Sequence, residues 1–412
     1  MYSFMTPSFA GPDVWPSLPP HPPLAGASSV NAPAFSPAPL EIPIFANAAY
    51  YPNWRIYKKQ PPSTLRLGFV SHVFYAFAWV KEDGQVYLSD EWADSQMPVD
   101  GTEGCLRAFT QLKRQYPQMK VILSVGGGGK GSENFAKVAR SPPAVEKFAT
   151  SARALVDQFD LDGIDGMGPT HTHSLTHTRT FQQDAHNNTV DWEHPSNTQQ
   201  GVDYIYLLAQ LRTALPAPRY VLTSALPAGE WALKHINLAV AQQYVDLFMV
   251  MCYDFSGPWV DRSGHQAQLY TPAQPHSDAA SISCQSAVTY FLSQGVHAKK
   301  ILMGIPAYGR SFVGAQGLNQ SYSGFGGEDG TFDYSELPRP GAKEVVDKTV
   351  GATYCVGDDG GFVSYDNTRT VEQKAKFVTS LGLGGLFYWH IAADKRGCDS
   401  LLETGYNTLH EL

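Results

Sequence analysis

Lys120-Val-Ile-Leu-Ser-Val125 is a short apolar, β-branched run, the pattern of a strand. Pro142–Phe159 follows with helical periodicity, with Ser141 placed as its N-cap and proline in its first turn. Leu161-Asp-Gly-Ile-Asp165 is the next apolar run. Near-continuous apolar strands separated by a helix imply parallel strands covered on both faces. To either side the same kind of run recurs, at Ile44–Tyr51, His72–Trp79, Tyr220–Ala225, Val245–Tyr253, Lys300–Ile305 and Gly385–Trp389. Gln200–Leu215 and Ser277–Gly295 read as further amphipathic helices between them. Counting the fourth run as continued at Val190, there are eight, which predicts an α/β fold, a (β/α)8 barrel of about 250 residues.

The chain is longer than that, at 412 residues. Part of the excess lies between the seventh and eighth runs, where Pro306–Val363 is rich in Gly, Tyr and Phe and poor in helix formers. The expected organisation is a barrel over 45–306 and 364–412, an α+β insertion over 307–363, a tail over 1–44 and an anomalous insert at 166–189. Ten prolines fall between Met1 and Leu40 and only Asp13 is charged there, so the tail is expected to be disordered, with some polyproline II. The first Lys or Arg is Arg55. As written, this N-terminus lacks the basic and apolar regions of a secretory signal.

Composition excludes several function classes. Charged residues are 17% and the net charge is −8, which argues against nucleic-acid binding. No apolar run has the ~18 residues of a membrane helix. The five cysteines, Cys105, Cys252, Cys284, Cys355 and Cys398, show no CxxC spacing. They read as small hydrophobes rather than as a disulfide scaffold or zinc site, with one or two bridges left open.

Chemistry in such barrels sits at the C-terminal ends of the strands. At the fourth run stand Asp162-Gly-Ile-Asp165 and, after a break, Val190-Asp191-Trp192-Glu193. With 166–189 removed the halves join, and strand alternation puts Asp165, Asp191 and Glu193 on one face. Three carboxyls in one barrel mouth repel, which raises at least one pKa and makes a general acid near neutral pH. Asp162 falls out of the alternation and is expected to support the strand.

The joined stretch resembles the DxxDxDxE signature of family 18 glycoside hydrolases, the chitinases. Ser124-Val-Gly126-Gly127 resembles the family's SxGG strand, Met251-Cys-Tyr253-Asp254 its MxYD strand, Gly304–Arg310 its seventh-strand motif and Gly384–Trp389 its eighth. The resemblance covers nearly all of 45–412 and is nearest to fungal-type members with the α+β insertion. It implies a retaining, substrate-assisted hydrolysis of β-1,4-linked N-acetylglucosamine, with no cofactor and no metal. Glu193 is then the general acid, Asp191 orients the acetamido group and shares a proton with Asp165, and Tyr253 hydrogen-bonds the acetamido oxygen. Trp389 is the expected floor under the reacting sugar. Tyr51, Phe77 and Trp259 are candidates to stack on other rings, with core packing the competing reading. Met251, Asp254 and Arg310 complete the candidate substrate-binding set, Arg310 as a substrate donor or as a rim salt-bridge partner. The partners implied are chitin or chitooligosaccharides, bound by a monomer, with neither nucleic acid nor membrane. The family alternative for location is extracellular, against the cytoplasmic reading of the N-terminus as written. A non-catalytic chitin-binding protein on the same barrel is the alternative function.

Gly166–Thr189 interrupts the signature. It contains six Thr together with His171, His173, His177 and His186, and has almost no apolar content. Such segments belong in rim loops rather than within a central strand. We read it as a translated intron, because its removal restores the motif with no residue missing or extra. A zinc site through His171, His173 and His177 and a regulatory loop are the competing readings.

Overall fold

The structure is a computed structural model that describes residues 45–167 and 195–411. The Pro-rich tail and nearly all of the 166–189 insert therefore lie outside the described residues. Eight parallel strands form the core: β1 (Ala46–Pro52), β2 (His72–Val80), β3 (Lys120–Val125), β4 (Gly163–Met167), β5 (Val221–Pro227), β6 (Leu247–Met251), β7 (Ile301–Pro306) and β8 (Gly385–Trp389). Each pairs with its neighbours in chain order, and β1 pairs with both β2 and β8, so the sheet closes. This is the (β/α)8 barrel that the alternation of runs predicts.

Most strands are apolar on both faces because each face has its own core, the exception being the polar cluster of Ser124, Asp165 and Thr223 inside the barrel. Tyr50, Phe74, Ile122, Met249, Leu302 and Phe387 point into the barrel. Their neighbours Tyr51, Val73, Leu123, Val250, Met303 and Leu386 pack outward against the helical layer. Each fully buried side chain of this size contributes about 1.5–3 kcal/mol.

The helix Pro142–Gln158 buries Val145, Phe148, Ala149, Ala152 and Val156 on one stripe. Ser141 occupies its N-cap position without a side-chain capping bond, and proline opens the first turn. Thr198–Ala214 starts on a true cap, where Asn197 Oδ1 accepts from Gln200 N at 3.0 Å. The expected helix over Ser277–Gly295 is two helices, Asp278–Ser281 and Cys284–Ser293. Ser283 restarts the chain there: its Oγ accepts from Ser286 N at 3.0 Å while Ser286 Oγ accepts from Ser283 N at 2.9 Å.

Between β7 and β8 the chain forms a five-stranded antiparallel sheet. Its spatial order is Thr331–Asp333, Tyr308–Phe312, Gly361–Tyr365, Ala352–Gly357, Lys343–Asp347. A buried ion pair lies where the chain returns from this sheet to the barrel. Lys374 Nζ, on the helix Thr368–Ser380, lies 2.5 Å from Asp366 Oδ2 and donates to Ala267 O at 2.6 Å. All five cysteines are unpaired; four are buried, as small hydrophobes are, and Cys398 is exposed. Among the described residues no helix is long and apolar enough to cross a membrane.

Candidate active site

Asp165 is the third residue of β4 and points into the barrel, fully buried. Its neighbours in register are Ser124 on β3 and Thr223 on β5. Both turn hydroxyls to it: Ser124 Oγ donates to Oδ2 at 2.8 Å and Thr223 Oγ1 to Oδ1 at 2.7 Å. Tyr50 on β1 reaches across the lumen and donates to Oδ2 at 2.8 Å. Burial raises the Asp165 pKa above the ordinary carboxylate range, and the three hydroxyl donors oppose that rise. Among the described residues the cause is thus desolvation rather than repulsion between carboxyls. Asp191 and Glu193 lie outside the described residues, as do His171, His173 and His177.

Tyr253 follows the end of β6 and is buried, with its phenol held neutral by burial and by the charge of Asp254. Space for its ring comes from Gly304 on β7, where a Cβ would stand 2.8 Å from Tyr253 Cε1 and 2.7 Å from Phe387 Cζ. Asp254 sits in the left-handed region, at φ +60°, which a short polar side chain tolerates. Its carboxylate takes Tyr308 OH at 2.6 Å and both Nε and Nη2 of Arg310, at 2.8 and 2.9 Å. Arg310 thus forms a buried salt bridge with Asp254 and is also one of the cavity's lining residues.

Above these groups lies a cavity of about 420 Å³, lined by Tyr253, Asp254, Arg310, Phe77, Trp54 and Trp389 among others. Trp389, at the end of β8, stacks on Phe77 with centroids 5.7 Å apart and planes 21° from parallel. Trp54 adds a third ring, 6.2 Å from Phe77 and 6.4 Å from Trp389. Gly127 of the β3 motif lets Phe77 lie close: its φ is +90°, and a Cβ there would meet the ring at 2.8 Å. Tyr50 packs beneath Trp389 at 5.3 Å, so the ring that binds Asp165 also supports the cavity floor. The result is an apolar aromatic platform beside hydroxyl and carboxylate donors and acceptors, suited to a sugar with one apolar face.

Three expectations need correction or refinement. Tyr51 does not face the cavity: it is fully buried on the outer face of β1, packs on Tyr75 and Phe109, and donates to Gln60 O at 2.8 Å. Strand alternation gives the inner place to its neighbour Tyr50. Met251 is packed inside the barrel cluster rather than along the cavity, and Trp259 stands over Arg310, 4.9 Å from its Cζ. Asp162 supports the strand as expected, accepting Val121 N at 2.7 Å and Lys113 Nζ at 3.0 Å. Sequence reasoning missed Tyr50, Trp54 and Tyr308. Asn53-Trp54 directly follows β1, so its place at the rim was readable once β1 was assigned. Nothing in an apolar run distinguishes Tyr50 from Tyr51.

Comparison with known proteins bears on the family and the fold. Residues 46–166 and 183–394 match the model of "Glycosyl hydrolases family 18"; the unmatched residues 167–182 lie inside Gly166–Thr189. Chitinase 1 of Aphanocladium album is 31% identical over 387 residues, 89% of this chain and 85% of its own. Endochitinase 1 of Metarhizium robertsii is 32% identical over 388 residues, with the same coverage. The solved structure of the Ostrinia furnacalis Group IV chitinase in complex with allosamidin superposes with a TM-score of 0.75 at 24% identity. The match covers 88% of this chain and 98% of that one, and shows the fold alone. Carrying the family match over most of its barrel, the chain belongs to the family 18 glycosyl hydrolases.

Proposed function

We propose that the protein is a chitinase that hydrolyses β-1,4-N-acetylglucosamine linkages with retention, using the substrate's own acetamido group. The observation that carries this reading is the buried Asp165, held by three hydroxyls beneath a cavity floored by Trp389. Glu193 protonates the glycosidic oxygen as general acid. The N-acetyl carbonyl oxygen attacks the anomeric carbon, the leaving sugar takes Glu193's proton, and an oxazolinium ion forms. Family 18 is an exception to the two-carboxylate scheme in this respect. Asp191 orients the acetamido N–H and shares a proton with Asp165, whose burial favours the protonated form. Tyr253, a neutral phenol at the cavity, donates to the acetamido oxygen. Water then opens the oxazolinium with Glu193 as base. Neither metal nor cofactor enters these steps. The substrates are chitin or chitooligosaccharides, and the working unit is a monomer.

We further propose that Gly166–Thr189 is foreign to the barrel. It follows Asp165 directly, and the family match breaks off after Gly166 to resume at Gln183. Catalytic constellations must hold to about 0.5 Å. The full chain is thus expected to be inactive and the chain lacking Gly166–Thr189 active. The test is release of chitooligosaccharides from chitin by both chains, each also carrying Glu193→Gln. Activity in the shorter chain alone, abolished by Glu193→Gln, supports both parts. Equal cleavage by the two chains removes the insert proposal. A well-folded shorter chain that binds chitin without cleaving it leaves the non-catalytic reading in its place.

A further inference from the structure

One side of the cavity is a wall of two ion pairs that join segments distant in the chain. The 3-10 segment Asn53–Lys58 follows β1; opposite it stand Glu328, at the start of the turn into the strand Thr331–Asp333, and Asp333, at that strand's end. The inner pair is Arg55–Asp333, whose arginine side chain is 5% exposed. Gln60 Oε1 fixes Arg55 from behind at 2.7 Å. The outer pair is Lys58–Glu328, with side chains 46% and 76% exposed. All four charged residues line the cavity, so the wall runs from its interior to open solvent.

The two layers differ in what it takes to part them. Separating the inner pair would strand a nearly buried guanidinium, which is strongly disfavoured. The outer pair is a contact between two flexible, hydrated side chains, weak in water and screened by salt. A wall with a fixed base and a weak top opens only at the top.

We propose that Lys58–Glu328 is an ionic latch across one end of the sugar groove. Closed, it makes that end blind, and the groove accepts short oligosaccharides and chain ends. Open, it lets the interior of a long chain lie across the wall. The latch therefore sets the preference between chain ends and chain interiors. This inference rests on the chitin reading of the cavity.

Trp54, Trp79 and Trp389 line the cavity and report binding by fluorescence, so the test needs no turnover. Stopped-flow association of the full chain is measured with chitotetraose and with glycol chitin, a neutral soluble polymer. The quantity read is the polymer-to-tetramer ratio of association rates. Lys58→Glu sets two carboxylates against each other and is expected to raise the ratio about two- to fivefold. The charge swap Lys58→Glu with Glu328→Lys is expected to return it to the wild-type value. Raising salt from about 0.05 to about 0.5 M should raise the ratio in the wild type and not in Lys58→Glu. An unchanged ratio in Lys58→Glu, or a swap that fails to restore it, overturns the latch while tetramer binding still upholds the chitin reading. Absence of tetramer binding both in the full chain and in the chain lacking Gly166–Thr189 overturns both.

Discussion

Two buried carboxylates stand on opposite sides of one barrel wall, and both are held by tyrosines of adjacent strands. Asp165 lies inside, with Tyr50 of β1 at 2.8 Å. Asp94 lies outside, with Tyr75 of β2 donating to its Oδ1 at 2.6 Å. Burial raises the pKa of each, Asp94 to about 7. What differs is the rest of the shell. The donors to Asp165 all come from barrel strands, and the space above it is the aromatic cavity. Asp94 is closed over by the rim: Asn53 Nδ2 donates to it at 2.9 Å and also to Ser89 Oγ at 2.9 Å, tying the segment after β1 to the one after β2. The same pairing of phenol and carboxylate thus occurs on both sides of the wall, caged by strand hydroxyls under the aromatic cavity and tying loops together at the rim.

The sharpest way to break this contrast is to convert each carboxylate to its amide. Asp165→Asn keeps the volume, and the three hydroxyls can rotate to meet the amide, so Tm is expected to hold. It removes the proton-sharing partner proposed for Asp191, and kcat is expected to fall about 100-fold or more. Asp94→Asn keeps an oxygen for Tyr75 and Asn53 and should change kcat by less than about threefold. Chitooligosaccharide turnover is measured in whichever chain, full or shortened, is active. Comparable losses in the two variants would mean that the distinction between lumen and rim does not govern function.

Stability against pH sharpens the contrast further. The folded pKa of Asp94 lies above its ordinary value, so the folded state keeps a proton that the unfolded chain releases. The stability from that proton is complete below about pH 4 and is lost as pH rises toward 7. His72 acts in the opposite sense. Burial and Lys120 lower its pKa from 6.5 to about 3, so its contribution is complete above pH 6.5 and is lost as pH falls. Asp94→Asn leaves the histidine slope unopposed. Its stability should climb between pH 4 and 6.5 relative to the wild type, by about 3 kcal/mol. Tm measured across that range checks this; parallel curves for the two proteins would refute it.

The barrel was legible in the sequence because eight apolar runs alternate with helices, and the family's strand-end motifs mark most of the site. Asp165, Tyr253, Asp254 and Trp389 all follow from those motifs. The partners that hold them were not legible, for physical reasons. Tyr308 and Arg310 meet Asp254 from 54 and 56 residues away, and no local pattern announces such a contact. The walls of the groove, Lys58 with Glu328 and Arg55 with Asp333, join the start of the barrel to the insertion near its end. In the chain they look like scattered surface charge. The helix break at Ser283 was missed because a serine cap reads the same as a serine within a polar stripe.

The smallest expected effect tests the finest distinction, between Tyr50 and Tyr51. Alternation normally announces itself by polarity, but here both faces of β1 are apolar, and the two rings differ only in which core they enter. Tyr50→Phe removes one of the two donors to Asp165 Oδ2. Losing a donor to the charged form raises the Asp165 pKa further, so the limb of the pH–rate profile that reports Asp165 should move to higher pH. The accompanying fall in kcat should be about tenfold, the worth of one hydrogen bond to a charged group. Tyr51→Phe removes only the bond to Gln60 O. It should lower stability by about 1 kcal/mol and leave both kcat and the pH profile where they were. If the two phenylalanine variants shifted the profile equally, Asp165 would not be the group that the profile reports, and its hydroxyl cage would be scaffolding alone.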